Sequence, residues 1–165
     1  MSTSENSPAP DPTESSAEHS PSLQPTVATS EQATSEQAAP RAPRVLLVDD
    51  DVEIVEAMRY ALEANGFEVA VARDGNQGLA LTESMQPDLL VLDMMMPKRS
   101  GFLVLEQLRR SGNEAVKVIM ITANEGNRHK AYAEMLGVSD YLRKPFPMDR
   151  LIDSARRLTD RSPSS

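Results

Sequence analysis

The chain has 165 residues, a formal net charge of −8, no cysteine and no tryptophan. That length allows one ordinary domain with residues to spare, and the absence of Cys excludes a disulfide framework or a Cys-ligated zinc site. The acidity leaves no global basic field for nucleic acid or anionic lipid.

Residues 1–43 hold six acids, one base and seven of the twelve prolines, with no Gly and no aromatic residue. ATSEQ occurs twice in succession, at Ala28–Gln32 and Ala33–Gln37. Such a segment buries too little apolar area to offset its ordering entropy, so it reads as a disordered Pro/Ser/Thr-rich tail. The N-terminus MSTSENSPAP has neither the basic nor the apolar region of a secretory signal, and no apolar run reaches membrane-spanning length. A cytoplasmic protein is expected.

Order is expected from about Arg44, giving a domain over residues 44–160 and a frayed end over 161–165. Val45–Val48 is an apolar strand that runs into Asp49, Asp50 and Asp51. Asp51 suits the N-cap of a helix carrying Ile54, Val55, Met58, Ala61 and Leu62 at helical spacing, with Glu53 and Glu56 as early acids. Asn65-Gly66 ends it. Phe67–Ala72 is a second strand. Asp74 caps a helix through Leu79, Ala80 and Met85, stopped at Pro87. Leu89–Leu92 is a continuous apolar run ending on Asp93, the pattern of a strand buried on both faces. A helix at about Phe102–Arg110, a turn at Ser111-Gly112-Asn113 and a buried strand at Val116–Ile121 follow. A more polar helix spans roughly Gly126–Leu136 and stops at Gly137. A short strand, Asp140–Leu142, leads through Lys144-Pro145-Phe146-Pro147 into a last helix with Met148, Leu151, Ile152, Ala155 and Leu158 on one face.

Five strand–helix pairs in strict alternation predict an α/β fold, a doubly wound parallel sheet with helices on both faces. For five strands the expected order is 2-1-3-4-5, with a crevice where the order reverses between strands 1 and 3. That order brings Asp49, Asp50, Asp93, Thr122 and Lys144 to one edge of the sheet. Crowded carboxylates repel and call for a cation. Hard oxygen ligands suit magnesium, and a lysine with a hydroxyl suits a phosphoryl group. A carboxylate nucleophile at Asp93 then gives an acyl phosphate.

VLLVDDD, DLLVLDMMMP followed by Gly101, VIMITA and DYLRKPF resemble the receiver domain of two-component response regulators, over about Arg44 to Thr159. The resemblance implies a flavodoxin-like (βα)5 fold and phosphorylation of Asp93 by a sensor histidine kinase or a histidine phosphotransfer protein. It implies Mg2+ held directly by Asp50, Asp93 and the backbone carbonyl of Met95, with Asp49 acting mainly through water. Lys144 then pairs with the phosphoryl oxygens, and the Lys144-Pro145 bond is cis. Thr122 bonds the phosphoryl group, and Tyr141 is an aromatic switch beside it. The helix 4–strand 5–helix 5 face changes and signals to a partner protein.

Because few residues follow the last helix, a stand-alone phospho-acceptor is expected, one that does not turn over substrate as an enzyme. No direct contact with nucleic acid or membrane is expected, and the chain is a monomer or a phosphorylation-dependent dimer. The alternative is a phosphorylation-independent binding module on the same fold. A haloacid-dehalogenase-type phosphatase needs a second acid where Met95 stands. A flavodoxin needs a hydroxyl-rich loop where Asp49–Asp51 stand.

Met94-Met95-Met96 reads as packing and loop. His19 and His129 are read as neither phospho-histidines nor ligands. Arg128, His129 and Lys130 read as a solvated face. Lys98 and Arg99 depart from the family pattern, and the expectation is that their charges draw the phosphoryl donor or an acidic partner toward Asp93.

Overall fold

A computed structural model describes residues 40–123 and 126–160. The expectations for residues 1–39 and for the last five residues, with His19 among them, lie outside the described residues.

Ten elements alternate: β1 (Arg44–Val48), α1 (Val52–Ala64), β2 (Glu68–Ala72), α2 (Gly75–Met85), β3 (Leu89–Asp93), α3 (Gly101–Arg110), β4 (Lys117–Thr122), α4 (Asn127–Met135), β5 (Asp140–Arg143) and α5 (Met148–Thr159). The five strands pair in parallel in the order β2-β1-β3-β4-β5, as expected. Strand ends differ from the sequence reading by a residue. β2 begins after Phe67, and β4 runs from Lys117 to Thr122, carrying Thr122 inside the strand.

The apolar runs are continuous because each central strand is covered on both sides. Successive side chains face opposite ways. Val45, Leu47, Leu89, Val91, Ile119 and Ile121 pack with Val55, Met58 and Leu62 of α1 and Leu151, Ile152 and Ala155 of α5. Leu46, Val48, Leu90, Leu92, Val118 and Met120 pack with Leu79 of α2, Leu105 of α3 and Ala133 of α4. Burying a side chain of this size stabilises the fold by about 1.5–3 kcal/mol before entropy is counted.

Local chemistry sets most element ends. Asp51 accepts from the backbone N–H of Glu53 and Ile54, and Asp74 from that of Gln77, so both act as the caps the sequence predicts. Ser100 caps α3 by accepting from the Leu103 N–H. α1 stops as expected at Asn65-Gly66, where Gly66 has φ 88°. α2 closes one residue ahead of Pro87, on Gln86 in the left-handed region at φ 46°. Ahead of β1, the Arg41 guanidinium bonds both carboxylate oxygens of Asp88 at 2.9 and 3.2 Å, and the Pro43 carbonyl accepts from the Glu68 N–H.

Candidate functional site

Register places the site. Val48 on β1 pairs with Leu92 on β3, so the next residues of the two strands, Asp49 and Asp93, lie side by side. Asp93 pairs with Ile121 on β4, which brings Thr122 to the same edge. Thr122 pairs with Arg143 on β5, and the Lys144 N–H then donates to the Thr122 carbonyl at 2.7 Å. Residues 95 positions apart thereby meet: Lys144 Nζ donates to Asp49 Oδ2 at 3.0 Å. It also stands 3.6 Å from Asp93 Oδ1. The Lys144-Pro145 peptide is cis.

The two acids beside the lysine are buried, Asp49 at 1% and Asp93 at 4% exposure, while Asp50 is exposed at the rim. Asp49 accepts from the Asp51 N–H at 3.0 Å, which fixes its carboxylate. Asp93 Oδ1 accepts from the Met95 N–H at 3.3 Å. Met95 is 61% exposed, whereas Met94 and Met96 are buried in the core. Thr122 is fully buried at the end of β4.

Asp93 carries the electrostatic strain of this cluster. Burial first, and then the neighbouring charge of Asp49, push its pKa up to about 6, against the opposing pull of Lys144. Burial by itself would lower the Lys144 pKa, but its hydrogen bond to Asp49 and the charges of both acids leave it raised. One lysine therefore faces three carboxylates. Asp49, Asp50 and Asp93 each present an oxygen within 4.8 Å of the others. Hard, crowded, under-compensated oxygens at a partly open mouth fit a divalent cation such as Mg2+.

A pH dependence follows. The folded state holds a proton on Asp93 that the unfolded chain releases at lower pH. Stability of the metal-free protein therefore falls as pH rises from about 4 to about 6. Asp93→Asn removes that loss. Discounted for solvent at the open mouth, the gain at pH 7 is about 1–2 kcal/mol. Urea unfolding in EDTA should show the variant more stable at pH 7 and level with the wild type at pH 4. Equal stability at both pH values would count against the strained carboxylate.

Tyr141 lies half-buried on β5 against the α3–α4 side of the core. Its hydroxyl is buried and finds no hydrogen-bond partner among the described residues. Lys98 and Arg99 part company. Lys98 takes φ 71° and is exposed at the tip of the β3–α3 loop. The Arg99 guanidinium donates to the side-chain amide oxygen Oε1 of Gln107 on α3, and the Arg99 side chain packs over Gly75. Among the described residues, no hydrogen bond of this kind engages the Lys98 ammonium. His129 stacks on Phe102 with centroids 5.8 Å apart.

Two arrangements had no sequence signal. Asp140 accepts from the Ser154 hydroxyl, from Arg157 at 2.8 Å and from Arg150 at 3.4 Å, which ties β5 to α5. Burial would raise its pKa, but the Ser154 bond, the Tyr141 N–H and the two arginines hold it below the usual range. Arg109 reaches four backbone carbonyls in two separate loops. Both depend on partners remote in the chain.

The sequence profile of the response regulator receiver domain matches residues 45–156. The chain is similar to the DNA-binding dual master transcriptional regulator RpaA of Synechocystis, with 40% identity over 127 residues, 74% of this chain and 53% of that protein. It is 38% identical to the response regulator MprA of Mycolicibacterium vanbaalenii over 119 residues, 72% of this chain and 51% of that protein. The chain thus spans about half the length of the curated relatives it matches. Among solved structures, the receiver domain of the Francisella response regulator 1452 superposes with a TM-score of 0.69 at 35% identity, covering 72% of this chain and 98% of that one. The Vibrio cholerae chemotaxis protein CheY4 gives a TM-score of 0.66 at 27% identity, covering 71% of this chain and 98% of that one.

Proposed function

Since the chain belongs to the response regulator receiver domain family, we propose that it accepts a phosphoryl group on Asp93 from a histidine kinase or histidine phosphotransfer protein and passes the change to a partner protein. The observation that carries this reading is Lys144 seated on Asp49 and 3.6 Å from Asp93, with Asp50 at the rim of the same mouth.

In this reading an oxygen of Asp93 forms a bond to phosphorus as the donor's P–N bond breaks, and the departing imidazole takes a proton from solvent. Phosphoryl transfer passes through a loose transition state, so the protein's contribution is position and charge. Lys144 meets the charge on the phosphoryl oxygens. Thr122 offers its hydroxyl from the end of β4. Asp49, Asp50, Asp93 and the Met95 carbonyl would hold Mg2+. When bound, Mg2+ supplies neutralisation of the crowded carboxylates and the phosphoryl oxygens. Lys98 sits at the loop tip where an acidic donor arrives.

The new charge then draws Thr122 and Lys144 toward Asp93, and the half-buried Tyr141 ring takes up the space vacated. The face formed by α4, β5 and α5 changes with them. No helix among the described residues is long and apolar enough to cross a membrane.

The test uses the full chain with Mg2+ and acetyl phosphate, read by intact mass. The wild type gains one phosphate, EDTA prevents the gain, and Asp93→Asn gains none. A folded wild type that gains nothing would overturn the phosphorylation reading and favour a phosphorylation-independent binding module.

A further inference from the structure

The charges of the domain are unevenly placed. Residues 49–86, which include α1 and α2, hold nine acids and two bases. Residues 98–134, which include α3 and most of α4, hold seven bases and four acids. A chain of net charge −8 therefore contains one stretch with an excess of positive charge.

Three large apolar side chains stand exposed on these two basic helices. Leu103 on α3 is 52% exposed, and Tyr132 and Met135 on α4 are 36% and 81% exposed. Leu103, Gln107 and Arg110 follow one another at i, i+4 and i+7, which makes a single stripe along α3. Arg128, Tyr132 and Met135 repeat that spacing along α4. Tyr132 brings the stripes together. Its ring meets Phe102, and its hydroxyl donates to Glu106 of α3. Glu106 lines a shallow depression of about 240 Å3 with Leu103, Arg99, Gln107 and Arg110.

Cations rim this apolar strip. The Arg99 guanidinium donates to Gln107 Oε1, a neutral acceptor that holds the cation beside Leu103 without cancelling its charge. The Arg110 side chain is 83% exposed and lies 3.9 Å from Glu106, a surface pair that contributes little by itself. Arg128 is exposed at the start of the α4 stripe. Lys130 and Glu134 belong to another face of α4, where they line a separate depression with Tyr141 and Arg150. The α3–α4 surface is thus distinct from the α4–β5–α5 face.

We propose that the α3–α4 surface docks an acidic segment of a partner protein, with apolar side chains seated on Leu103, Tyr132 and Met135 and carboxylates meeting Arg99, Arg110 and Arg128. An apolar centre within a polar, charged rim is how protein interfaces are built. Complementary charge selects an acidic partner over a basic one. A nucleic acid fits less well, because its backbone needs cations along a track. Here apolar residues and Glu106 occupy the middle, and the acidity of the whole chain repels a polyanion. Nothing in this reading depends on the chemistry at Asp93.

The probe is a phage-displayed library of short random peptides, selected on the full chain at low salt. Enriched peptides should carry an excess of acids and at least one aromatic or large aliphatic residue. Their amide shifts on the protein should centre on Leu103, Glu106, Arg110, Tyr132 and Met135, and their affinity should fall about tenfold between low and physiological salt. Leu103→Ser removes the apolar centre and should weaken binding about tenfold. Arg110→Glu combined with Arg128→Glu should abolish binding of the acidic peptides, and reselection on that variant should enrich basic ones. Arg99 is left in place because its side chain packs over Gly75. Tyr60→Ser, at the 80% exposed tyrosine of α1, should change nothing. Urea unfolding checks that each variant is folded, and Arg110→Gln replaces the double variant if that one is not. No enrichment, enriched peptides without an acidic excess, shifts centred elsewhere, or binding unmoved by the variants would overturn the proposal. Tighter binding of single-stranded DNA or anionic phospholipid vesicles at these residues would overturn it too, in favour of a nucleic-acid or membrane contact.

Discussion

Replacing Lys144 by methionine is expected to slow phosphate uptake by Asp93 about 100-fold. Methionine keeps most of the stem's volume and removes the charge. Lys144 Nζ is the cation placed between Asp49 and Asp93, at 3.0 and 3.6 Å. Arg143 and the nearby backbone donors do not replace a point charge aimed into the mouth. Removing one charge-stabilising donor from such a site costs on the order of 10²–10³ in rate, about 3 kcal/mol or slightly more. Mg2+ affinity is expected to rise, because three carboxylates lose their one internal counter-charge. The check is the rate of mass gain with acetyl phosphate at saturating Mg2+, with titration of the metal alongside. A rate within threefold of wild type would remove Lys144 from the chemistry. A large loss of rate together with weaker Mg2+ binding would point to a misfolded mouth.

Gly101→Ala is expected to destabilise the fold by about 3 kcal/mol, the upper end of what overpacking usually costs. A Cβ at Gly101 would stand 2.3 Å from the carbonyl oxygen of Asp93 and 3.0 Å from the Cα of Met94. Both atoms are backbone, so no rotamer change relieves the clash. The Gly101 N–H also donates to the Met94 carbonyl at 3.0 Å, which pins α3 against the end of β3. Relief must come from moving α3 or from moving the strand end that carries Asp93, so phosphate uptake should fall together with stability. Gly75 makes the useful comparison. A Cβ there meets Val104 Cγ2 at 2.7 Å and the Arg99 side chain at 3.2 Å. Those atoms belong to side chains that can shift, and Gly75→Ala is expected to cost about 1 kcal/mol. Urea unfolding of the two variants checks the contrast. Equal losses at the two positions would show that the β3–α3 junction yields more easily than its geometry implies.

The wider electrostatics place the strain of the domain at its mouth. Asp140 is held by a hydroxyl and two arginines and its pKa lies below the usual range, whereas Asp93 is pushed up to about 6. Both are carboxylates on strands of one sheet. The difference is one of partners: Asp140 has donors on every side, and Asp93 shares a single lysine with another buried acid. A carboxylate left short of donors is available to a ligand.

Much of this protein is determined by sequence acting locally. A strand covered on both faces must be apolar at every position, so Leu89–Leu92 and Val118–Ile121 declare themselves without any knowledge of their neighbours. Asp51 and Asp74 cap helices through bonds that span two or three residues, and Asn65-Gly66 ends one for the same local reason. Strict alternation of strands and helices then leaves few ways to build the sheet, and the strand order carries Asp49, Asp50, Asp93, Thr122 and Lys144 to one edge. Tertiary structure alone decided the rest. The charge balance at the mouth depends on how far Lys144 reaches across the sheet. Arg99, adjacent to Lys98, is engaged by Gln107 eight residues on. Gly101 is required because a carbonyl from β3 lies against it. Arg109 takes its partners from loops 4 to 28 residues away. Helical period and capping are properties of a few consecutive residues, whereas a hydrogen bond or a clash is a property of distance in space, and only the folded chain sets that distance.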